Sequence, residues 1–230
     1  DLQVIVPLLL GIGFLIAFVV RQKRIEHPLI NMSIFSSSNY RVSFIAQNCL
    51  FASFMGITLV VPLFVQTVCG MSALDAGIVF IPATILAVIV NPLAGLLSDK
   101  IGTRPVVVMG SAFLFVGAVS MIFVEKDMPL WLITLMQTVR GIGVSALIGP
   151  LNSWGMKDLP HTVMIDGSAF FATVRQACAS FGTALMIFVV SIVAGFVAGE
   201  AGLVLGYQMA FGLSALFAAC VFILGLIKVR

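Results

Sequence analysis

The sequence predicts an all-α membrane protein of seven transmembrane helices, and three observations lead there. Apolar residues make up 61% of the chain and charged residues only 9%, with a mean hydropathy of +1.20 that lies outside the range of soluble domains. The apolar residues fall into seven runs, each long enough to cross a hydrocarbon core of ~30 Å at ~1.5 Å per helical residue. The cations then gather at alternate ends of those runs, as positive-inside sorting requires.

The first span covers residues 2–20, where Gly11 and Gly13 point to close helix contact. It starts directly after Asp1, with no basic leader or small-residue cleavage site, so the chain reads as a fragment. Residues 21–41, RQKRIEHPLINMSIFSSSNYR, form the most polar stretch and read as a cytoplasmic linker. Pro28 either starts a short helix that lays Leu29, Ile30, Ile34 and Phe35 in the membrane interface, or belongs to a solvated loop.

Six further spans occupy 42–230. The second, 42–68, carries Gln47, Asn48, Ser53 and Thr58 in an otherwise apolar helix with Pro62 late in it. Lipid satisfies no amide, so these groups face protein or water. At ~100° per residue, Gln47, Phe51, Phe54 and Thr58 share one broad face, with Asn48, Met55 and Gln66 beside it. That mixture suits either a loosely specific pocket or interhelical packing with hydrogen bonds. The turn VCGMSALDAG leads to the third span, 73–97, with bends expected at Pro82 and at the Asn91-Pro92 pair.

Between the third and fourth spans lies a short polar turn, GLLSDKIGTRP, from Gly95 to Pro105. Gly95 lets a neighbouring helix approach, Asp99 marks the water boundary, and Gly102 permits a backbone turn. Lys100 and Arg104 place cations at the surface, and Pro105 suits the first turn of the next helix. The fourth span is 106–124 and the fifth 130–152. In the fifth, Thr134, Thr138, Gly141, Ser145, Gly149 and Asn152 make a small-residue stripe that brings helices together. Arg140 lies off that stripe, about 16 Å below the outer boundary and close to the midplane. After the loop GMKDLPHTVMIDG, the sixth span, 165–198, has a face of Ser168, Ala172, Arg175, Ala179, Gly182 and Met186. It is small except for the arginine, which points at a neighbour. The seventh span is 203–227.

One face of this arrangement receives Arg21, Lys23, Arg24, Arg41, Lys100, Arg104, Lys157, Lys228 and Arg230, and the other only Lys126. With Arg140 and Arg175 inside, all twelve Lys and Arg are accounted for. The first face is therefore cytoplasmic, with the N-terminal end outside and the C-terminus inside. The net charge of +3 comes without a basic cluster interleaved with aromatics, so no nucleic-acid partner is expected. His27 and His161 are the only histidines, and HExxH, GxSxG and Walker patterns are absent. No enzyme, metal site or cofactor is expected. The four cysteines, without a CxxC, read as small packing residues.

The stretch GLLSDKIGTRP resembles the G-x-L-a-D-r-x-G-r-k signature of the major facilitator superfamily. It matches at Gly95, Leu97, Ser98, Asp99, Lys100, Gly102 and Arg104, and departs at Thr103, where a basic residue is usual. PLINMSIF resembles the linker before the C-terminal bundle in that superfamily's fourteen-helix drug:proton antiporters, and CGMSALDAG their next outer loop. DGSAFFATVRQACASFGTAL resembles their late single-arginine helix, at Gly167, Ser168, Arg175, Gln176, Gly182 and Ala184. Gly149-Pro150 stands on a different helix from the family's Gly-Pro signature and is not counted.

The resemblance implies that residues 1–20 are an extra central helix, 21–41 a cytoplasmic linker and 42–230 the six-helix C-terminal bundle. It implies half of a proton-driven exporter of drugs or small amphiphiles in the cell membrane, energised by the proton gradient. Partners would be a small-molecule substrate, the bilayer and the missing N-terminal half, which would hold the proton-binding carboxylate. A seven-helix receptor or sensor is the alternative. Because the bundle's first and fourth helices line the cavity in this superfamily, Gln47, Asn48, Phe51, Phe54, Thr58, Gln137 and Arg140 become cavity candidates. Asp99, with Gly95, Lys100, Gly102 and Arg104, would form the conformational motif, and Arg175 would hold helices together through carbonyl contacts or serve coupling.

Overall fold

The computed structural model describes residues 32–197 and 199–229, together with Val6, Gly11, Gly13, Phe14 and Arg21. Apart from four isolated positions the expected first span, 2–20, lies outside the described residues, as do residues 22–31 of the expected linker. Every regular element among the described residues is helical: α1 (Ser38–Thr67), α2 (Ala73–Ile78), α3 (Ile81–Ile101), α4 (Thr103–Ser120), α5 (Leu130–Met156), α6 (His161–Phe196) and α7 (Glu200–Ile227), with short 3-10 turns at Met32–Ser36 and Met121–Phe123. Six stretches are long and apolar enough to cross a membrane, α2 and α3 counting as one. The expected total of seven thus stands at six among the described residues.

Local chemistry sets the helix ends. The Oγ of Ser37 accepts from the Tyr40 amide at 3.2 Å and starts α1 four residues before the expected position. Ser72 and Asp75 form a reciprocal capping box that starts α2. Pro82 falls in the first turn of α3, so it opens that helix where a bend was expected. The expected loops at 98–105 and 155–167 shrink in the same way. α3 stays helical through Asp99 and Lys100 to Ile101, and α6 already begins at His161. Polar residues at a helix end require no loop when the last turns stand clear of the membrane. Between α3 and α4 only Gly102 leaves the helical region, at φ +92°, where other residues are strained.

The helices alternate in direction, and contacts near their termini sort the two ends. Asn39 donates to Asp158, and Arg104 donates to the carbonyl of Leu226 at 3.3 Å. Arg41, Lys100, Arg104, Lys157 and Lys228 therefore share one end. At the other, Lys126 pairs with Glu200 at 2.6 Å, and Gln208 donates to the Val124 carbonyl.

α3, α5, α1 and α6 form one layer in that order, and α4 and α7 pack behind α5 and α1. Close backbone contact holds the layers. A Cβ on Gly117 of α4 would stand 2.5 Å from the Arg140 nitrogen, and one on Gly143 of α5 would run into the Leu114 backbone. At the cation-rich end, Phe35 from the 3-10 turn meets Tyr40, Phe44 and Phe170 edge-on at 5.5 to 5.6 Å, and the Tyr40 hydroxyl donates to the Gly167 carbonyl. α3 and α6 bury least: Val88 is 73% and Phe181 66% exposed, which leaves two bare apolar flanks.

Gly143→Leu is expected to force α4 and α5 apart, at ~1–3 kcal/mol or more because the obstruction is backbone. Thermal unfolding of the purified variant, followed by monodispersity on size exclusion, checks this.

Candidate functional site

A cleft of about 470 Å³ opens between α1, α3 and α5. Phe54 and Thr58 reach it from α1, Phe80, Thr84 and Asn91 from α3 and the turn before it, and Gln137 and Ser145 from α5. The Thr58 and Thr84 hydroxyls donate to the carbonyls of Phe54 and Phe80, four residues back, at 2.8 and 2.9 Å. This keeps both hydroxyls satisfied at membrane depth and leaves their oxygens able to accept. Beside Phe54, in edge-on contact at 6.2 Å, stands Phe51. The Arg175 guanidinium of α6 lies over the Phe51 ring, 4.5 Å from its centre.

Three of the expected cavity residues, Phe54, Thr58 and Gln137, thus line the cleft, and Phe51 flanks it. Gln47 and Asn48 do not line it, and both are buried elsewhere in the bundle. They share a helical face with Thr58, but nearer the cation-rich end α1 closes on α5, where the Ser43 hydroxyl donates to the Leu151 carbonyl. Neither polar atom of the Gln47 side chain has a partner among the described residues. Asn91 is not among the site residues the sequence predicts. Its signal is an amide in an apolar span, which with the following Pro92 predicts only a bend.

The two arginines stand opposite to expectation. Arg140 does not face the cleft: it is wholly buried, and its Nη2 donates to the Ser53 carbonyl at 3.0 Å. The Ser53 hydroxyl in turn lies 2.7 Å from that of Ser214 on α7. Nε and Nη1 of Arg140 have no partner among the described residues. The reason is geometric, because Gly117 occupies the Arg140 backbone and the side chain crosses to α1. Carbonyl bonding, expected of Arg175, is what Arg140 does. Arg175 is half-buried over an aromatic ring at the cleft's edge.

At the α3–α4 junction, Ser98, Asp99, Gly102, Arg104, Trp154 and Lys157 border a recess of about 620 Å³. Ser98 donates to the Thr103 hydroxyl at 3.0 Å. Asp99 is exposed and has no ion pair among the described residues. Around Gly95, a Cβ would meet nothing within 4 Å, so the close helix approach expected there does not occur within this bundle.

The Major Facilitator Superfamily model matches residues 3–183. The chain belongs to the Major Facilitator Superfamily. With six membrane-capable helices among the described residues it is a multi-pass membrane protein, and membership of a transporter superfamily speaks against an enzyme. Among relatives, it is 30% identical over 77% of its length to the riboflavin transporter RibZ of Clostridioides difficile, covering 40% of that protein. It is 29% identical to the lincomycin resistance protein LmrB of Bacillus subtilis over 80% of its length, covering 38% of that protein. It is 26% identical to the multidrug export protein EmrB of Haemophilus influenzae over 81%, covering 37%. The chain thus spans about two fifths of the length of these superfamily relatives.

Arg140→Ala is expected to lower the thermal midpoint more than Arg175→Ala. The first removes a buried side chain and its charged hydrogen bond, at ~2–5 kcal/mol. The second loses a cation–π contact worth ~0.5–1 kcal/mol. Unfolding of the two purified variants side by side decides the order.

Proposed function

We propose that the chain forms the C-terminal half of a proton-coupled secondary active transporter of the fourteen-helix drug:proton antiporter kind, exporting drugs or other small amphiphiles. The observation that carries this reading is the cleft between α1, α3 and α5, where phenyl rings stand beside hydroxyls and amides at membrane depth. Such a lining gains ~25 cal/mol per Å² of apolar ligand surface buried and offers few fixed polar contacts, which favours breadth over selectivity. Relatives named for multidrug export, lincomycin resistance and riboflavin transport support a small-molecule substrate. A receptor is not favoured, because a member of a transporter superfamily accounts for both helices and cleft.

In this reading the bare flanks of α3 and α6 are covered by an N-terminal bundle, and residues 1–20 are one of two extra central helices. The coupling carboxylate belongs to that other bundle, since Asp75, Asp99, Glu125, Asp127, Asp158, Asp166 and Glu200 all sit near helix ends or in turns. Asp99 is free to meet a helix N-terminus or a cation across the interface, worth ~0.3–1 kcal/mol when exposed. The cation-rich end faces the cytoplasm.

Energised inverted vesicles carrying the full-length gene product are expected to lose part of their pH gradient when amphiphiles are added. Phe54→Ala with Gln137→Ala should raise the concentration required several-fold. No proton movement with any compound, despite folded protein, would overturn the reading.

Topology has its own test. A variant keeping Cys69 alone is expected to react with an impermeant maleimide outside intact cells, slowly at neutral pH and faster in base. Burial first, and the Asp127 charge second, raise its pKa, so thiolate becomes plentiful only as pH climbs. A cysteine at Lys100 should stay unlabelled, and its labelling would reverse the assigned orientation.

A further inference from the structure

Scattered along the sequence, two of the cysteines converge in the fold. Cys49 of α1 and Cys220 of α7, 171 residues apart, bring their sulfurs to 3.8 Å. Both are free thiols and both are half-buried. Two sulfurs bound to one atom at ~2.3 Å stand ~3.8 Å apart at a tetrahedral angle and ~3.3 Å at a right angle, so a small side-chain rotation brings the pair to the spacing of two ligands on one pyramidal or tetrahedral soft atom. Its support is rigid. One to two turns further in, the Ser53 and Ser214 hydroxyls tie the same two helices together at 2.7 Å. Among the described residues no three metal-ligating side chains converge, so the site is a pair and not a closed metal cage.

Depth selects the chemistry of the ligand. Cys49 and Cys220 lie roughly 10 to 16 Å along their helices from the cation-rich end, at ~1.5 Å per residue. That places them within the hydrocarbon layer, where a hydrated ion is disfavoured and a lipid-soluble molecule partitions. The cleft lining does not include either residue. We propose that Cys49 and Cys220 form a bidentate thiol site for lipid-soluble, monosubstituted trivalent arsenicals. Each sulfur bonds to arsenic as one As–OH bond breaks, and the two thiol protons leave with the two hydroxyls as two waters. Arsenic stays trivalent, so no oxidant is required. Chelation by two sulfurs resists displacement by a monothiol, whereas a competing dithiol reverses it.

Intact-mass spectrometry of the full-length gene product in detergent, treated with phenylarsine oxide and washed with excess glutathione, tests this. The parent is expected to retain an arsenical that 2,3-dimercaptopropanol removes. Cys49→Ser and Cys220→Ser should each lower the retained number by one per chain, while Cys69→Ser and Cys178→Ser leave it unchanged. Each variant is read only if it elutes like the parent on size exclusion, with alanine at the same position as the substitute where serine does not. Overturning results are no retention by the folded parent, undiminished retention without Cys49 or Cys220, or loss of the arsenical on removing Cys178.

Discussion

The contact between Gly117 and the backbone of Arg140, answered across the same interface by Gly143 against Leu114, sets how closely α4 and α5 approach. Lipid tails are as apolar as the side chains they surround, so helices in a membrane gain little from hydrophobic association and depend on such close fits. Much of the bundle's plan follows from this one. With its backbone pinned against α4, Arg140 sends its side chain to the Ser53 carbonyl, and Ser53 passes the connection to Ser214. Two helices, α1 and α7, are thereby joined to the α4–α5 pair through polar groups that lipid cannot replace.

Those polar groups come at a cost. An unpartnered donor or acceptor away from water loses ~1–3 kcal/mol, and Gln47, Asn48, Gln137 and Arg140 each carry at least one among the described residues. Apolar replacements would fill the same volumes without that loss. What the guanidinium adds is direction, because a helix that must reach a particular carbonyl has one rotation and one depth available to it, whereas a purely apolar helix slides with little penalty. The cleft depends on that fixed rotation, since Phe54, Thr58 and Gln137 share it only while α1 and α5 hold their register.

Class, the positions of six spans and the sorting of the described cations to one end were legible in composition and hydropathy, because lipid imposes them residue by residue. The turn at Gly102 was legible too, as a positive φ demands glycine. Direction was not. Periodicity gives the angle between Gln47 and Thr58 on one helix but not what surrounds each, and one is fully buried while the cleft opens beside the other. Position along α5 does not say which way Arg140 faces, and its backbone packs on Gly117, more than twenty residues away. Asn91 is visible as an amide among apolar residues, but the proline that follows it makes the pair predict a bend. Helix ends ran longer than hydropathy implied, since capping by Ser37 and helical turns beyond the membrane are written in hydrogen bonds and not in apolar content.

The ring cluster around Phe35 determines where the chain enters the bundle. Phe35 is gripped by rings from both α1 and α6, and Tyr40 is bonded to the Gly167 carbonyl of α6, so the stretch before α1 is anchored to two helices at once. Load arriving along the chain from residue 32 is therefore shared by a central helix and a bare flank instead of being absorbed in slack, and a pull there acts as a lever on the side of the bundle left open to a neighbour.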